Sequence, residues 1–118
     1  MEETKVETVR SYYEYIDAED YEAVFSLFAD DVTYERPGQS NLSGMAEFRE
    51  FYLEDRPLED GDHEVHDVAA DGDTVAVRGE FAGTQDDEEV SFGFADFHRF
   101  DDDGRITERW TYTDRDEV

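Results

Sequence analysis

The sequence lacks cysteine and long apolar runs, and each absence excludes a class of protein. Because there is no cysteine, disulfides, thiolate catalysis and cysteine–zinc sites are excluded. No stretch approaches the ~20 apolar residues that a membrane-spanning helix needs, and the acidic start is unlike a secretory signal peptide. We therefore expect no membrane partner, and a cytoplasmic location is the default expectation.

Positive charge is scarce, since 10 Lys and Arg stand against 35 Asp and Glu, for a formal net charge of −25. A chain this negative repels phosphate backbones, so we expect no nucleic-acid partner. All but one of the basic residues are Arg, the single lysine being Lys5. An acidic surface poor in lysine is typical of salt-accumulating halophiles, because molar salt screens the self-repulsion. We predict a halophilic protein, and an acidic mesophilic protein is the alternative.

Length and apolar content favour one folded domain. The 118 residues fit a single domain over 1–118 and leave little room for two. Leu, Ile, Val and Phe make up 25 residues, about 21% of the chain, just above the composition at which a highly charged chain is disordered. Because these residues recur at regular spacings, we interpret the chain as folded, with aromatic side chains carrying much of the core.

The chain begins with helical periodicity. Apolar residues within 3–17 recur at intervals of three and four, which predicts an amphipathic helix. Asp20 is placed to cap a second helix. The buried stripe predicted for that helix is Tyr21, Val24, Phe25 and Phe28.

A short strand and a third helix are predicted next. The strand covers Val32–Glu35 and ends at the Pro37-Gly38 turn. Ser43 is placed to cap the third helix. The apolar residues of that helix are Met45, Phe48, Phe51 and Tyr52, and the region is expected to close at Pro57 and Gly61.

The second half of the chain alternates as strands do. Four strands are predicted, over residues 63–70, 74–83, 89–100 and 105–113. The segments 70–73 and 101–104 contain Asp-Gly, which supplies the positive φ that hairpin turns need. Helices followed by an antiparallel sheet favour an α+β fold, with the helices covering one sheet face.

Parts of the sequence resemble the nuclear transport factor 2-like superfamily. Residues 27–35, LFADDVTYE, with Pro37, Ser43-Gly44 and residues 49–52, resemble its ketosteroid isomerase branch. Residues 100–110 are more similar to its SnoaL-like branch of polyketide cyclases. The resemblance spans nearly the whole chain. It implies a cystatin-like, cone-shaped α+β barrel, in which a curved antiparallel sheet packs on three N-terminal helices around an apolar pocket.

The isomerase branch uses three polar positions. Its oxyanion-hole tyrosine matches Tyr12 on the first helix, and its oxyanion-hole aspartic acid matches Asp96 on a late strand. In that isomerase an apolar site keeps the carboxylic acid protonated, so that it donates a hydrogen bond to a developing enolate. The position of the proton-shuttling aspartate falls on Arg36, which is always protonated and cannot act as the base.

Two placements of Arg36 stay open. Beside Asp96, a guanidinium would favour the ionised carboxylate and suit the site to an anionic or polar ligand. At the rim, it would pair with a surface acid. The adjacent Pro37-Gly38 turn slightly favours the rim.

His98 is the candidate for proton transfer in place of the missing base. Strand alternation puts it on the face of Asp96, and an ordinary histidine pKa of about 6.5 suits acid–base work. The alternative is a neutral histidine that fills a pocket wall. Glu108, on the last strand, is expected to be solvated or at an interface. The residues predicted to share one face of the third strand are Phe92, Phe94, Asp96, His98 and Phe100.

The resemblance also implies an aromatic lining for the pocket. The predicted ligand-binding residues are Phe28, Arg36, Phe51, Phe94 and Trp110, although most aromatics at such spacings are expected to be core. His63 and His66 are three apart on a strand and point to opposite faces, so we expect no metal site. No glycine-rich phosphate loop is present, and no cofactor is expected.

We predict a small-molecule pocket protein of the SnoaL-like group. As an enzyme it would be an isomerase or cyclase that stabilises an enolate through Tyr12 and Asp96. Its substrate would be a small apolar carbonyl-bearing or polyketide-like molecule. The alternative is a non-enzymatic ligand-binding or dimerisation module with the same cavity. The superfamily resemblance further implies a homodimer formed through the outer sheet face.

Overall fold

In the computed structural model, which describes residues 2–36, 41–55, 58–85 and 87–113, two helices are followed by two strands, a third helix and four further strands. The helices are α1 (Glu2–Asp17), α2 (Tyr21–Phe25) and α3 (Met45–Glu50), and α3 continues as a π-helical turn, Phe51–Asp55. The strands are β1 (Phe28–Glu35), β2 (Leu42–Ser43), β3 (Leu58–Asp71), β4 (Thr74–Gln85), β5 (Glu88–Phe100) and β6 (Ile106–Thr113). No helix among the described residues is long and apolar enough to cross a membrane.

The strands form one six-stranded sheet in the order β2-β1-β6-β5-β4-β3. Strands β3 to β6 are an antiparallel meander, as predicted, whereas β1 lies parallel to β6. Helix α1 packs on β3 and β4, and α3 packs on β1. The sheet is curved and the fold is α+β, which confirms the predicted class. The face that the helices cover is called the inner face below.

The helix and hairpin signals of the sequence are mostly confirmed. Asp20 caps α2, since its side chain accepts a hydrogen bond from the backbone N–H of Ala23 at 3.4 Å. Gly72 and Gly104, in the two Asp-Gly hairpin turns, have φ of +60° and +81°. These values lie in the left-handed region that glycine adopts without steric cost.

Three predicted boundaries are wrong. Phe28 begins β1 and does not belong to the second helix, although it is buried. Gly44 and not Ser43 caps α3, while the side chain of Glu47 accepts from the backbone N–H of Ser43 at 3.0 Å. Gly61 lies inside β3, because that strand starts at Leu58. The Pro37-Gly38 turn and Pro57 lie outside the described residues.

The core lies between the helices and the inner face of the sheet, and it is largely aromatic. The predicted alternation of β5 is confirmed, because its buried residues are Phe92, Phe94, Asp96, His98 and Phe100. Gly79 on β4 is part of this packing. A Cβ there would overlap the backbone oxygen of Glu64 and approach the Phe94 ring to 3.1 Å. Gly79 therefore lets β3 and the Phe94 ring lie close together.

Candidate functional site

A buried carboxylate lies at the centre of the inner face. The Asp96 side chain is 2% exposed. Its Oδ1 accepts from the Thr111 hydroxyl at 2.7 Å, and its Oδ2 accepts from the Tyr13 hydroxyl at 2.6 Å and from the Arg109 guanidinium at 2.9 Å. Burial raises the pKa of Asp96, but the positive charge of Arg109 and the donated hydrogen bonds outweigh it and lower that pKa below its ordinary value. Asp96 is therefore an ionised acceptor, whereas the resemblance implied a protonated donor.

Arg109 joins this carboxylate to the hydroxyl of a second tyrosine. It is 4% exposed, and its other terminal nitrogen donates to the Tyr52 hydroxyl at 3.2 Å. The guanidinium carbon lies 4.6 Å from the ring centroid of Tyr12 and 4.5 Å from that of Tyr34. Burial lowers the pKa of Arg109, but Asp96 and the surrounding tyrosines raise it well above its ordinary value. The group is a permanent buried cation.

Tyr12 reaches Asp96 only through other side chains. Its hydroxyl lies 2.7 Å from that of Tyr52, so a chain of hydrogen bonds leads from Tyr12 through Tyr52 and Arg109 to Asp96. The tyrosine that contacts Asp96 directly is Tyr13. Tyr12 and Tyr13 are thus both buried beside the polar side chains of the inner face, with Tyr13 in direct contact with Asp96 and Tyr12 in contact with Tyr52.

His98 is also part of the buried network, with a Nε2 that lies 3.2 Å from the Tyr13 hydroxyl. It is fully buried. Burial and, secondarily, the Arg109 charge lower its pKa to about 3. His98 is therefore neutral near pH 7 and a weak base, which is the state expected of a histidine that fills a pocket wall.

Three of the predicted aromatic residues lie around the network. The Phe28 ring is 5.8 Å from that of Tyr12, and the Phe94 ring stacks on that of Tyr13 at 5.7 Å between centroids. The Phe51 ring is 5.0 Å from that of Tyr52. The structure thus brings Phe28, Phe51 and Phe94 together beside the polar side chains.

Arg36, at the predicted base position, lies farther out. It follows the end of β1, half-buried, with its guanidinium carbon 4.1 Å from the ring centroid of Phe51 and 5.7 Å from that of Tyr34. The cation beside Asp96 is Arg109. Of the two placements left open by the sequence, the one beside Asp96 is taken by Arg109, while Arg36 stacks on the Phe51 ring.

Trp110 is not brought to this site. Its indole N–H donates to Glu35 and its ring lies 5.4 Å from the Arg99 guanidinium, on the outer face of the sheet. The cause is a β-bulge, because β5 pairs Phe100 with Ile106 but Arg99 with Glu108, which leaves Thr107 without a partner.

The bulge decides which β6 residues face inward. An unbroken register from the Phe100–Ile106 pair would place Trp110 opposite Asp96 and Glu108 opposite His98. In the structure Thr111 is opposite Asp96, and Arg109 is opposite His98. Thr107 is not a residue type that favours turns, so the sequence does not indicate the bulge. The available signal for Arg109 is charge balance, since it is the only arginine within β6 and a buried carboxylate needs a cation.

Carboxylates and an imidazole also meet on the outer face. His63 and His66 do point to opposite faces, as predicted, but His66 gathers with Glu64 and with Glu80 of the neighbouring strand. Its Nε2 lies 3.5 Å from Glu64 and 4.0 Å from Glu80. Among the described residues, this exposed group is the one in which three such side chains bring their donor atoms close enough to share a cation.

Comparison with known proteins identifies the family. The model of the SnoaL-like domain family matches residues 9–109, which is most of the chain, so the chain belongs to this family. No protein among those of curated function matches it.

Solved structures share the fold at low sequence identity. An LEH-like epoxide hydrolase of M. tuberculosis is 24% identical, with a TM-score of 0.82 over 94% of this chain and 83% of that one. The epoxide hydrolase/cyclase-like enzyme SalBIII, with a role in pyran ring formation in polyether salinomycin, is 23% identical, with a TM-score of 0.85 over 95% and 92%. An NTF2-like protein of unknown function from Burkholderia pseudomallei K96243 is 20% identical, with a TM-score of 0.85 over 94% and 91%. At these identities the likeness shows the fold alone.

Proposed function

We propose that this SnoaL-like chain binds a small apolar carbonyl-bearing or polyketide-like molecule and stabilises an oxyanion, such as an enolate, with the hydroxyl of Tyr12. The observation that carries this proposal is the chain of hydrogen bonds from the buried Arg109 through Tyr52 to Tyr12. Donors fixed in advance in a dry site stabilise developing negative charge most effectively, because they need no reorganisation during the reaction.

The direction of the hydrogen bonds supports this role for Tyr12. Arg109 can only donate, so the Tyr52 oxygen is an acceptor. In the proposed complex Tyr52 donates its own proton to the Tyr12 oxygen, and Tyr12 turns its proton towards the ligand oxygen when the ligand binds. A guanidinium at the start of such a chain polarises each hydroxyl in turn and strengthens the last donor.

Asp96 acts in this proposal as a positioning residue. As an ionised acceptor it cannot donate to an enolate, but it fixes Arg109 and the Tyr13 hydroxyl in place. This differs from the donor role that the isomerase resemblance implied. Arg109 then supplies the positive charge at the start of the hydrogen-bond chain, and Asp96 balances that charge.

Apolar side chains supply the walls of the proposed site. Phe28, Phe51 and Phe94 flank the tyrosines, and Arg36 covers Phe51. Tyr12 and Tyr52 are almost fully buried, so a ligand must displace side chains to reach them. Phe51 and Tyr52 begin the π-helical turn, and such turns are frequent at functional sites.

The test is titration with 2-naphthol, a phenolic mimic of an enolate, in molar KCl. We expect Tyr12→Phe to weaken binding by about 10-fold, because it removes one hydrogen bond to a charged oxygen. We expect Tyr52→Phe to weaken binding by up to about 10-fold, because it breaks the hydrogen-bond chain that polarises Tyr12. Tyr112→Phe is the matched control, because Tyr112 is 58% exposed on the outer face. Wild-type affinity in both site variants would overturn the proposal.

A second function, ligand binding without catalysis, is favoured by the protonation of the network. Asp96 stays ionised and His98 stays neutral near pH 7, so neither changes its proton there. Deuterium uptake at the α-carbons of 2-tetralone in D2O distinguishes the two functions. Uptake above the buffer rate supports catalysis, and binding without uptake supports the non-enzymatic alternative.

We also propose a homodimer formed through the outer sheet face. Phe97 and Tyr112 are exposed there, 38% and 58%, and their rings pack edge to face at 5.9 Å. Trp110 lies on the same face, paired in register with Phe97. Exposed aromatic side chains grouped on one sheet face favour association.

A further inference from the structure

We infer that His63, oriented by Asp17, is the proton acceptor of the proposed site. The inference rests on the proposed function, because it supplies the base that oxyanion chemistry requires. Arg36 occupies the position that holds the base in the ketosteroid isomerase branch. The inference assigns the role of base instead to a residue on β3, outside the Asp96 network.

Asp17 holds His63 through two contacts at the end of α1. One carboxylate oxygen accepts from the backbone N–H of His63 at 2.9 Å, and the other lies 2.6 Å from the ring Nδ1. Because a carboxylate can only accept, Nδ1 carries the proton. In the neutral imidazole the lone pair is then on Nε2. A carboxylate that fixes the tautomer of a histidine in this way is a recurrent device of proton transfer.

The ring is placed on the inner face, next to the aromatic side chains of the site. The His63 side chain is 9% exposed, and β3 pairs it with the buried Phe81. Its centroid lies 5.3 Å from that of Tyr13 and 5.4 Å from that of Phe94. Since the Tyr13 hydroxyl bonds Asp96, a single aromatic ring separates His63 from the carboxylate network.

Nε2 of His63 remains available for a ligand. It makes no hydrogen bond within the described residues, and the His63 side chain is 9% exposed, whereas the Nδ1 of His98 is completely buried. The Nε2 of His98 is occupied by the Tyr13 hydroxyl. Of the two imidazoles on the inner face, His63 is therefore the one with an accessible lone pair.

The proton transfer balances without a co-reactant. Nε2 of His63 takes a proton from the carbon next to the carbonyl, and the electron pair of the broken C–H bond forms the C=C bond of the enolate. The negative charge moves to the oxygen, which accepts a hydrogen bond from Tyr12. Asp17 stabilises the imidazolium that forms. With a saturated ketone the proton returns to the same carbon, which gives exchange. With a β,γ-unsaturated carbonyl the enolate is a conjugated dienolate, and return of the proton to the γ-carbon moves the C=C bond and completes an isomerisation.

Chemical modification tests whether His63 lines the ligand site. Diethyl pyrocarbonate reacts with accessible neutral imidazoles, and peptide mass spectrometry separates His63 from His66. We expect saturating 2-naphthol in molar KCl to slow modification of His63 at least about 5-fold, an occupancy effect. His66, on the outer face, is the internal control and stays unchanged. No modification of His63, or no protection, overturns the inference.

Deuterium exchange tests the proton transfer itself. We expect His63→Gln to lower uptake into 2-tetralone by about 100-fold or more, as for loss of a general base, while 2-naphthol affinity stays within about 2-fold. His66→Gln is the matched control. Asp17→Asn is expected to lower uptake and to make both tautomers of His63 visible by 15N NMR. Wild-type uptake at the buffer rate, or unchanged uptake in His63→Gln, overturns the inference.

The two proposals fail in different ways. If Tyr12→Phe and Tyr52→Phe bind 2-naphthol as the wild type does, the oxyanion site itself is refuted. If these variants lose affinity but His63→Gln keeps full uptake, only the role of His63 is refuted. Should His63→Gln not fold, the modification experiment on the unaltered chain decides alone.

Discussion

The Arg109 guanidinium donates to the Asp96 carboxylate at 2.9 Å, with both side chains at least 96% buried. Two opposite charges this far from water are tolerable only as a pair, because each has lost its hydration. Arg109 also contacts Tyr52, and Asp96 contacts Tyr13. The pair therefore fixes the tyrosines of the proposed site, and stability and function depend on the same contact.

We predict that Arg109→Met and Asp96→Asn each lower the free energy of unfolding by roughly 3–5 kcal/mol, because each leaves an uncompensated buried charge. Urea unfolding in molar KCl measures this. The control is Arg78→Met, which breaks the exposed Arg78–Asp67 pair and should cost about 1 kcal/mol or less.

The double variant Arg109→Met with Asp96→Leu tests the cause of that loss. With both charges removed, we expect it to be more stable than Arg109→Met alone, since no charge is left buried without a partner. A double variant no more stable than Arg109→Met alone would contradict the pairing argument.

We predict that His98 makes the fold acid-sensitive. Its folded pKa of about 3 lies below the ordinary value, so only the unfolded state takes up a proton as the pH falls. Its contribution to stability is therefore full above about pH 6.5 and is lost progressively towards about pH 3. The loss across this window is on the order of a few kcal/mol. The pKa of Asp96 is also lowered, so its contribution to stability is lost only as the pH falls below the ordinary pKa of an aspartate.

His98→Gln should flatten the decline of stability between about pH 7 and about pH 5, where aspartates are still ionised. Urea unfolding at several pH values, in constant molar KCl, gives the slopes. Leu53→Ala, at an exposed residue without a titratable group, is the control and should keep the wild-type slope. Equal slopes in wild type and His98→Gln would refute the assignment to His98.

We predict that the melting temperature rises as KCl increases from dilute to molar. The net charge of −25 opposes compaction, and at ~1 M salt the Debye length falls to about 3 Å, so the repulsion is screened. Thermal unfolding followed by circular dichroism gives the result. A melting temperature that does not rise would rule out the halophilic interpretation.

We predict a dimeric mass by multi-angle light scattering in molar KCl. Phe97→Glu and Tyr112→Glu should shift it to the monomer, because a charge buried in an aromatic interface stays unpaired. Leu53→Glu is the control, since Leu53 is 51% exposed on the π-helical turn and away from the outer face. A monomeric wild type would refute the dimer.

Local sequence patterns predicted most of the fold because each depends on neighbours in the chain. Alternation in β5 put Asp96 and His98 on the inner face, and Asp20 was recognised as a helix cap. Phe28 was misassigned because an aromatic residue just after a helical stripe fits either a helix or a buried strand. The parallel pairing of β1 with β6 joins residues far apart in the chain, so no local pattern indicates it.

The composition and periodicity of the chain were enough to indicate an acidic α+β fold with an aromatic core and to place the Asp96 carboxylate on the apolar face of a strand, because burial follows the spacing of apolar residues. The partners of that carboxylate depended on tertiary structure. The bulge at Thr107 turned Arg109 inward and Trp110 outward, and the packing of α1 brought Tyr13 to Asp96. A shift of one residue in the pairing register of a strand moves every inward side chain to the outer face. The register of β6 is set by its packing in the sheet and not by its local sequence.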